Sequence, residues 1–302
     1  MSSASGFLLV DKPSGPSSHD VVDAFRSITG ERRIGHCGTL DPLASGLLIL
    51  CVGVATRLAE YLTGHDKTYE ARVLLGVTTD TDDVTGTELS QSPVALDRAR
   101  IEHELGAFRG SFLQRPPAFS ARRSGGKRAY ALARQGKDVE LAPTPVTIHA
   151  LRLVDFDGSI ASLELRCSAG TYVRSLARDL GAALGCGGTI AALRRTHAGS
   201  FSVAEATPLA DWVSAPEQWR SRLVTPADGL RDLEALMLDA STIEDVFHGR
   251  VVPVGSCAAT GPMRAIAPDG SLHAILRRIG NSRWLRPVKV FHELAGDDPT
   301  RA

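Results

Sequence analysis

Apolar positions along this chain repeat with two periods. From Lys67 to Gly76, Tyr69, Ala71, Val73 and Leu75 fall on one face at every second position, which predicts a half-buried strand. From Ser162 to Gly170, Leu163, Leu165 and Cys167 alternate with Glu164 and Arg166, and Gly170 breaks the run. "GFLLV" (6–10) reads as a short strand and the unbroken apolar run "GLLILCVG" (46–53) as a buried one. A helical period governs other stretches. In residues 17–30, Val21, Phe25 and Ile28 share a face, Ser17 or Ser18 can cap the start and Gly30 can end it. In residues 171–185, Val173, Leu176, Ala177, Leu180 and Leu184 form one stripe. Residues 96–108 predict another amphipathic helix, and "ATRLAEYLTG" a short one closed by Gly64. The pattern weakens over 205–235, which reads as linker and short helices. From about residue 236 strands dominate again, and "APDG" between two alternating runs marks a hairpin. The elements predict a mixed α/β (α+β) chain that ends in a small all-β module.

The length of 302 residues suits one large domain with a real core and a small second one. The longest apolar run, residues 46–55, is far too short to span a membrane, and the N-terminus carries no basic stretch ahead of "FLLV". A cytoplasmic protein with neither membrane span nor signal peptide is expected. Five cysteines, with no C-x-x-C pair, suggest small buried fillers rather than a zinc site or disulfide framework. No P-loop or G-x-G-x-x-G occurs. Thirty-four Lys and Arg balance 34 Asp and Glu, so net charge argues for no class of partner. Distribution says more. Residues 115–137 hold seven Lys and Arg and no acid, while acids gather in "TDTDDVTGTE" (79–88). A basic segment of this kind is either a solvated loop or a phosphate-binding one.

The chemistry concentrates in "GHCGTLDPLASG" (35–46), where Asp41 ends a Gly-rich stretch and Pro42 follows it. An ordinary Asp-Pro turn is the bland alternative. A carboxylate there can also be a base, a nucleophile or a ligand, and His36 alone is too thin a partner for a metal. Cys37 as a hydrolase nucleophile lacks an obvious orienting group. Arg174 falls in the first turn of the predicted 171–185 helix, where the helix dipole opposes a cation. An anion nearby would make the placement sensible, and Asp41 is a candidate, since an arginine-paired carboxylate stays ionised. Tyr69 is either a packed aromatic or a stacking platform for an extruded base.

In order along the chain, "LLVDKPSGPSSHDVV", "GHCGTLDPLASGLLIL", "KTYEARVLLGVTTDTDDVTG", "RPPAFSARRSGGKRAYALARQG" and "CSAGTYVRSLARDLGAALGCGG" closely resemble the TruB family, the bacterial tRNA pseudouridine-55 synthases. The resemblance covers roughly residues 5–203. It implies the pseudouridine synthase fold: a large mainly antiparallel sheet flanked by helices in residues 1–230. A PUA-like RNA-binding module would follow in 233–293, with a tail at 294–302. It implies isomerisation of uridine 55 in the T-arm loop of tRNA by a monomer, through base flipping and without cofactor or metal. Carried over residue by residue, Asp41 is the nucleophile and Arg174 its partner. Tyr69 packs on the target base and is a proposed proton acceptor from the sugar. His36, Lys12, Leu193 and Tyr172 belong to the substrate site, and Arg122, Arg123, Lys127 and Arg128 hold RNA. Phe119 and Arg122 depart from the family pattern, which has tyrosine and an aliphatic residue there. A binding module that has lost catalysis is the alternative the basic segment allows.

Overall fold

The computed structural model describes residues 4–120, 122–124, 127–129, 141–255 and 260–292, with only the backbone path for 123, 124, 127 and 128. Its centre is a ten-stranded sheet. The path runs Thr207–Pro208, Gly6–Lys12, Ser45–Val52, Gly188–Ala198, Lys67–Leu75, Ile160–Cys167, Thr144–Phe156, Gly110–Gln114. Ile34–His36 and Phe201–Ser202 add to Ser45–Val52 and Gly188–Ala198. Two pairings are parallel, Gly6–Lys12 with Thr207–Pro208 and Gly188–Ala198 with Ser45–Val52. The other pairings in this sheet are antiparallel, so the expected mainly antiparallel sheet is present.

The apolar run at 46–53 makes sense once both faces of the sheet are seen. Leu48, Leu50 and Val52 enter one core, while Leu47, Ile49 and Cys51 enter the other. A strand covered on both sides has no polar face to show. The first core lies under the Ser18–Thr29 and Val173–Leu184 helices, through Val21, Phe25, Leu176 and Leu180. Ser17 caps the first of these helices in a capping box with Asp20, and Gly30 ends it at φ 70°. Trp212 and Trp219 also enter this core, and Trp212 packs edge-on against Phe25. The stretch around Trp212 and Trp219 is therefore a strap sewn into the large domain rather than a linker. Isolated tryptophans between turns carry no period, so the pattern missed them.

The second core holds Phe7, Leu9 and Ile49 from the large sheet and Leu58 and Leu62 from the segment after it. That segment is a 3-10 turn, Gly53–Leu58, followed by a short α-helix, Ala59–Thr63. The same core takes in Ile266, Leu272, Ile275 and Phe291. These belong to a second, five-stranded sheet of order Ala235–Met237, Met263–Ile266, Leu272–Arg278, Trp284–Val290, Val252–Pro253, or directly follow it. Lys289 pairs with Glu60, and Arg57 donates to the Val290 carbonyl, so polar contacts rim the shared core. The small module is β in its sheet but also carries an α-helix, Ala240–Phe247, capped by Asp239, which the sequence pattern did not reveal. Among the described residues no helix is long and apolar enough to cross a membrane.

Candidate active site

Asp41 lies in the loop between Ile34–His36 and Ser45–Val52, and hydrogen bonds hold that loop from several sides. Ser18 exchanges hydrogen bonds with the Leu40 backbone, Gly15 N–H donates to Pro42 O, and Ala44 N–H closes a turn onto Asp41 O. The Asp-Pro turn is thus real, and it presents a carboxylate that is 37% exposed.

Arg174 meets that carboxylate. Its Nη2 donates to Asp41 Oδ1 at 3.1 Å, and Nε lies 2.9 Å from Oδ2, though its N–H is angled off the oxygen. Nη1 donates to Thr81 O and Nη2 to Phe119 O, both at 2.9 Å. Asp83 stands 3.9 Å from Nη1, its other oxygen taken up by Thr81 and Thr85. These acidic and carbonyl partners answer the question raised by a buried cation in a helix's first turn.

Tyr69 is 9% exposed and sits opposite Arg195 in the strand register. Burial pushes its phenol pKa up, with Arg195 pulling the other way and Asp41 adding to the rise. Leu193, two residues before Arg195, is buried in the same apolar cluster as Tyr69. His36 is lowered from its ordinary pKa, first by burial and then by Arg195 and His19. Its Nδ1 is buried without a hydrogen-bond partner among the described residues.

Lys12, expected to meet substrate, is instead 0% exposed. Its amine donates to Pro13 O and Pro16 O at 2.9 and 2.8 Å, and to Pro42 O at 3.4 Å. It ties the "VDKPSG" loop to the turn that follows Asp41. Burial lowers its pKa to about 8, and Asp41 opposes the drop. Tyr172 precedes the Val173–Leu184 helix, and its main chain is clasped on both sides by the Gln114 amide. Arg122 is exposed, with Nη2 3.5 Å from Thr144 Oγ1. Arg123–Ser124 pairs with Lys127–Arg128 as a short ribbon, and the side chains of Arg123, Lys127 and Arg128 lie outside the described residues.

Cys37 does not face solvent. It is buried with Sγ 2.8 Å from Cys51 Sγ, and the hydrogen bond the two thiols share, together with burial, raises the Cys51 pKa. A thiol placed this way is not poised to attack a substrate. Among the described residues no group of three His, Cys, Asp or Glu side chains could hold a metal. Sequence reasoning missed Asp83, the Thr81 and Phe119 carbonyls, and Arg195. The acid-rich 79–88 stretch was a visible sign of the first; main-chain partners leave no trace in side-chain identity.

The comparisons fit this geometry. Residues 26–173 match the TruB family pseudouridylate synthase N-terminal domain, and residues 174–242 the tRNA pseudouridylate synthase B C-terminal domain. tRNA pseudouridine synthase B of Synechococcus sp. (strain WH7803) is 45% identical over 298 residues, covering 96% of this chain and 99% of that protein. The protein of the same name from Thermobifida fusca (strain YX) is 42% identical, covering 95% and 99%. Among solved structures, a chain of a Cbf5-Nop10-Gar1 complex superposes with TM-score 0.73 at 25% identity, covering 95% of this chain and 84% of that one. A chain of an H/ACA RNP bound to a substrate RNA containing 2'-deoxyuridine shares the fold at TM-score 0.73 and 22% identity, with the same coverage. With relatives this similar over almost its whole length, the chain belongs to the TruB family of tRNA pseudouridine synthases, which are isomerases.

Proposed function

We propose that this protein converts uridine 55 in the T-arm loop of tRNA to pseudouridine, with Asp41 as nucleophile acting on a flipped-out nucleotide. The observation that carries the reading is the Asp41–Arg174 pair: a half-open carboxylate gripped by a buried guanidinium, with Tyr69 and Leu193 on neighbouring strands. In the reaction the bond from N1 to the sugar breaks and a bond from C5 to the same carbon forms. C5 loses a proton and N1 gains one, so oxidation state and composition are unchanged, and the balance needs no cofactor or metal. Asp41 attacks the anomeric carbon or C6 of the base.

Arg174 fixes the direction of the carboxylate. Tyr69, neutral at pH 7 with its raised pKa, offers an aromatic face for the uracil. Leu193 supplies apolar wall that keeps water from a detached base. Lys12 acts from beneath by tying loops together. Flipping the nucleotide costs a few kcal/mol. Phosphate contacts by Arg122, Arg123, Lys127 and Arg128 offset that cost and position the RNA. The division we infer is a catalytic domain over 1–230 and a PUA-like RNA-binding module over 233–293, acting as a monomer in the cytoplasm.

The test is Asp41→Asn on an unmodified tRNA transcript. Binding should persist and turnover should vanish; substantial remaining turnover overturns the nucleophile. Mapping the product tests the address separately, and pseudouridine at a position other than 55 removes the T-arm assignment.

A further inference from the structure

Arg195 is 1% exposed and is among the largest fully buried side chains of the protein. Its hydrogen bonds go to main-chain carbonyls: Nε to Leu47 O at 2.7 Å, Nη2 to Gly38 O at 3.1 Å and Nη1 to Thr39 O at 3.4 Å. Among the described residues no carboxylate lies within ion-pair distance of it. Its neighbours make matters worse, since its charge opposes protonation of both Lys12 and Lys67. A buried cation without an anion is costly. A core that needed only filling would use an apolar side chain of the same volume.

The three carbonyls show what the arrangement gains. Gly38 and Thr39 lie three and two residues before Asp41, and Leu47 lies in the strand that leaves the loop. One planar fork therefore ties the entry of the Asp41 loop to its exit. The backbones meet closely here: a Cβ on Gly46 would stand 2.2 Å from Arg195 O. On the other side Arg195 pairs in register with Tyr69. Leu193 shares its strand face two residues back.

We propose that Arg195 is a positioning residue of the isomerisation, holding the Asp41 loop and the Tyr69 ring in one fixed relation. It touches no substrate and acts through the two groups that do. The proposal rests on Asp41 as the nucleophile.

The test compares the full-length parent, Arg195→Lys, Arg195→Met and Asp41→Asn on an unmodified tRNA transcript. The readouts are folded fraction by circular dichroism, Kd for the transcript and single-turnover rate per folded molecule. Misplacing a reacting group by about 1 Å costs on the order of 100-fold in rate. The expected result is a Kd within about threefold of the parent, a rate lower by about 100-fold in Arg195→Met, and partial recovery in Arg195→Lys to a loss of about 10-fold. A residue that only stabilises the fold would lower the folded fraction and leave the rate per folded molecule alone. The proposal is overturned if both folded variants turn over at the parent rate, if the loss lies in Kd alone, if lysine recovers nothing, or if neither variant folds. Turnover by Asp41→Asn would instead sink the nucleophile reading, and that outcome is independent of the Arg195 rates.

Discussion

Replacing Arg174 by lysine keeps the charge and removes the fork. Arg174 now donates to Asp41 Oδ1 at 3.1 Å, holds Nε 2.9 Å from Oδ2 as an ion pair, and donates to the carbonyls of Thr81 and Phe119, each at 2.9 Å. These acceptors surround a planar group, whereas a lysine ammonium gathers its donors at one point. It cannot hold the carboxylate and both carbonyls together. Losing one charge-assisted hydrogen bond costs about 1.5–3 kcal/mol. If that bond sets the attacking pose of Asp41, the rate falls roughly 10- to 150-fold, at about 1.4 kcal/mol per decade. Stability falls by about 1–3 kcal/mol, because a main-chain carbonyl loses its donor. The assay is single-turnover release of tritium from C5-labelled uridine in a tRNA transcript, with Kd measured alongside. A lysine enzyme, equally folded, that works within about threefold of the parent would refute the argument that fork geometry matters.

Three other outcomes follow from the coordinates. Gly46→Ala puts a Cβ 2.2 Å from Arg195 O at a backbone φ of +99°, so chemical denaturation should show a loss of about 3–5 kcal/mol from clash and left-handed strain together; a loss below about 1 kcal/mol would mean that the strands part freely. Burial lowers Lys12 and Lys67 to about 8 from 10.5, so between those values the unfolded chain holds protons that the folded chain has released, and stability rises with pH. The urea midpoint should climb more steeply between about pH 8 and pH 10 in the parent than in Lys12→Met, and equal slopes would show that Lys12 is not titrating there. Replacing Arg122, Arg123, Lys127 and Arg128 with alanine should shrink the salt dependence of tRNA affinity by about 0.7–0.9 in slope for each phosphate no longer neutralised; an unchanged slope would place them off the RNA backbone.

Much of the fold could be read from residues whose neighbours in sequence are also their neighbours in the element. Tyr69, Ala71, Val73 and Leu75 announced a strand, and Val21 with Phe25 a helix, because period alone decides which face is buried. The awkward charge of Arg174 in a first turn likewise pointed at a distant anion. Other features depended on the meeting of remote segments. Lys12 and Arg195 look like surface cations in the sequence, yet each is enclosed by carbonyls that any residue type could have provided. The helix at Ala240–Phe247 was hidden by surrounding strand-like runs, although Asp239 was in place to cap it.

The core shared by the two sheets carries a mechanical consequence. Phe7, Leu9 and Ile49 belong to one buried cluster with Ile266, Leu272, Ile275 and Phe291, so any swing of the small module would have to open that cluster to water. Its angle to the large sheet is set by interlocked shapes, not by the slack of a tether. An RNA long enough to touch both would meet a caliper with preset jaws, and its fit would be judged by length and bend before any bond is broken.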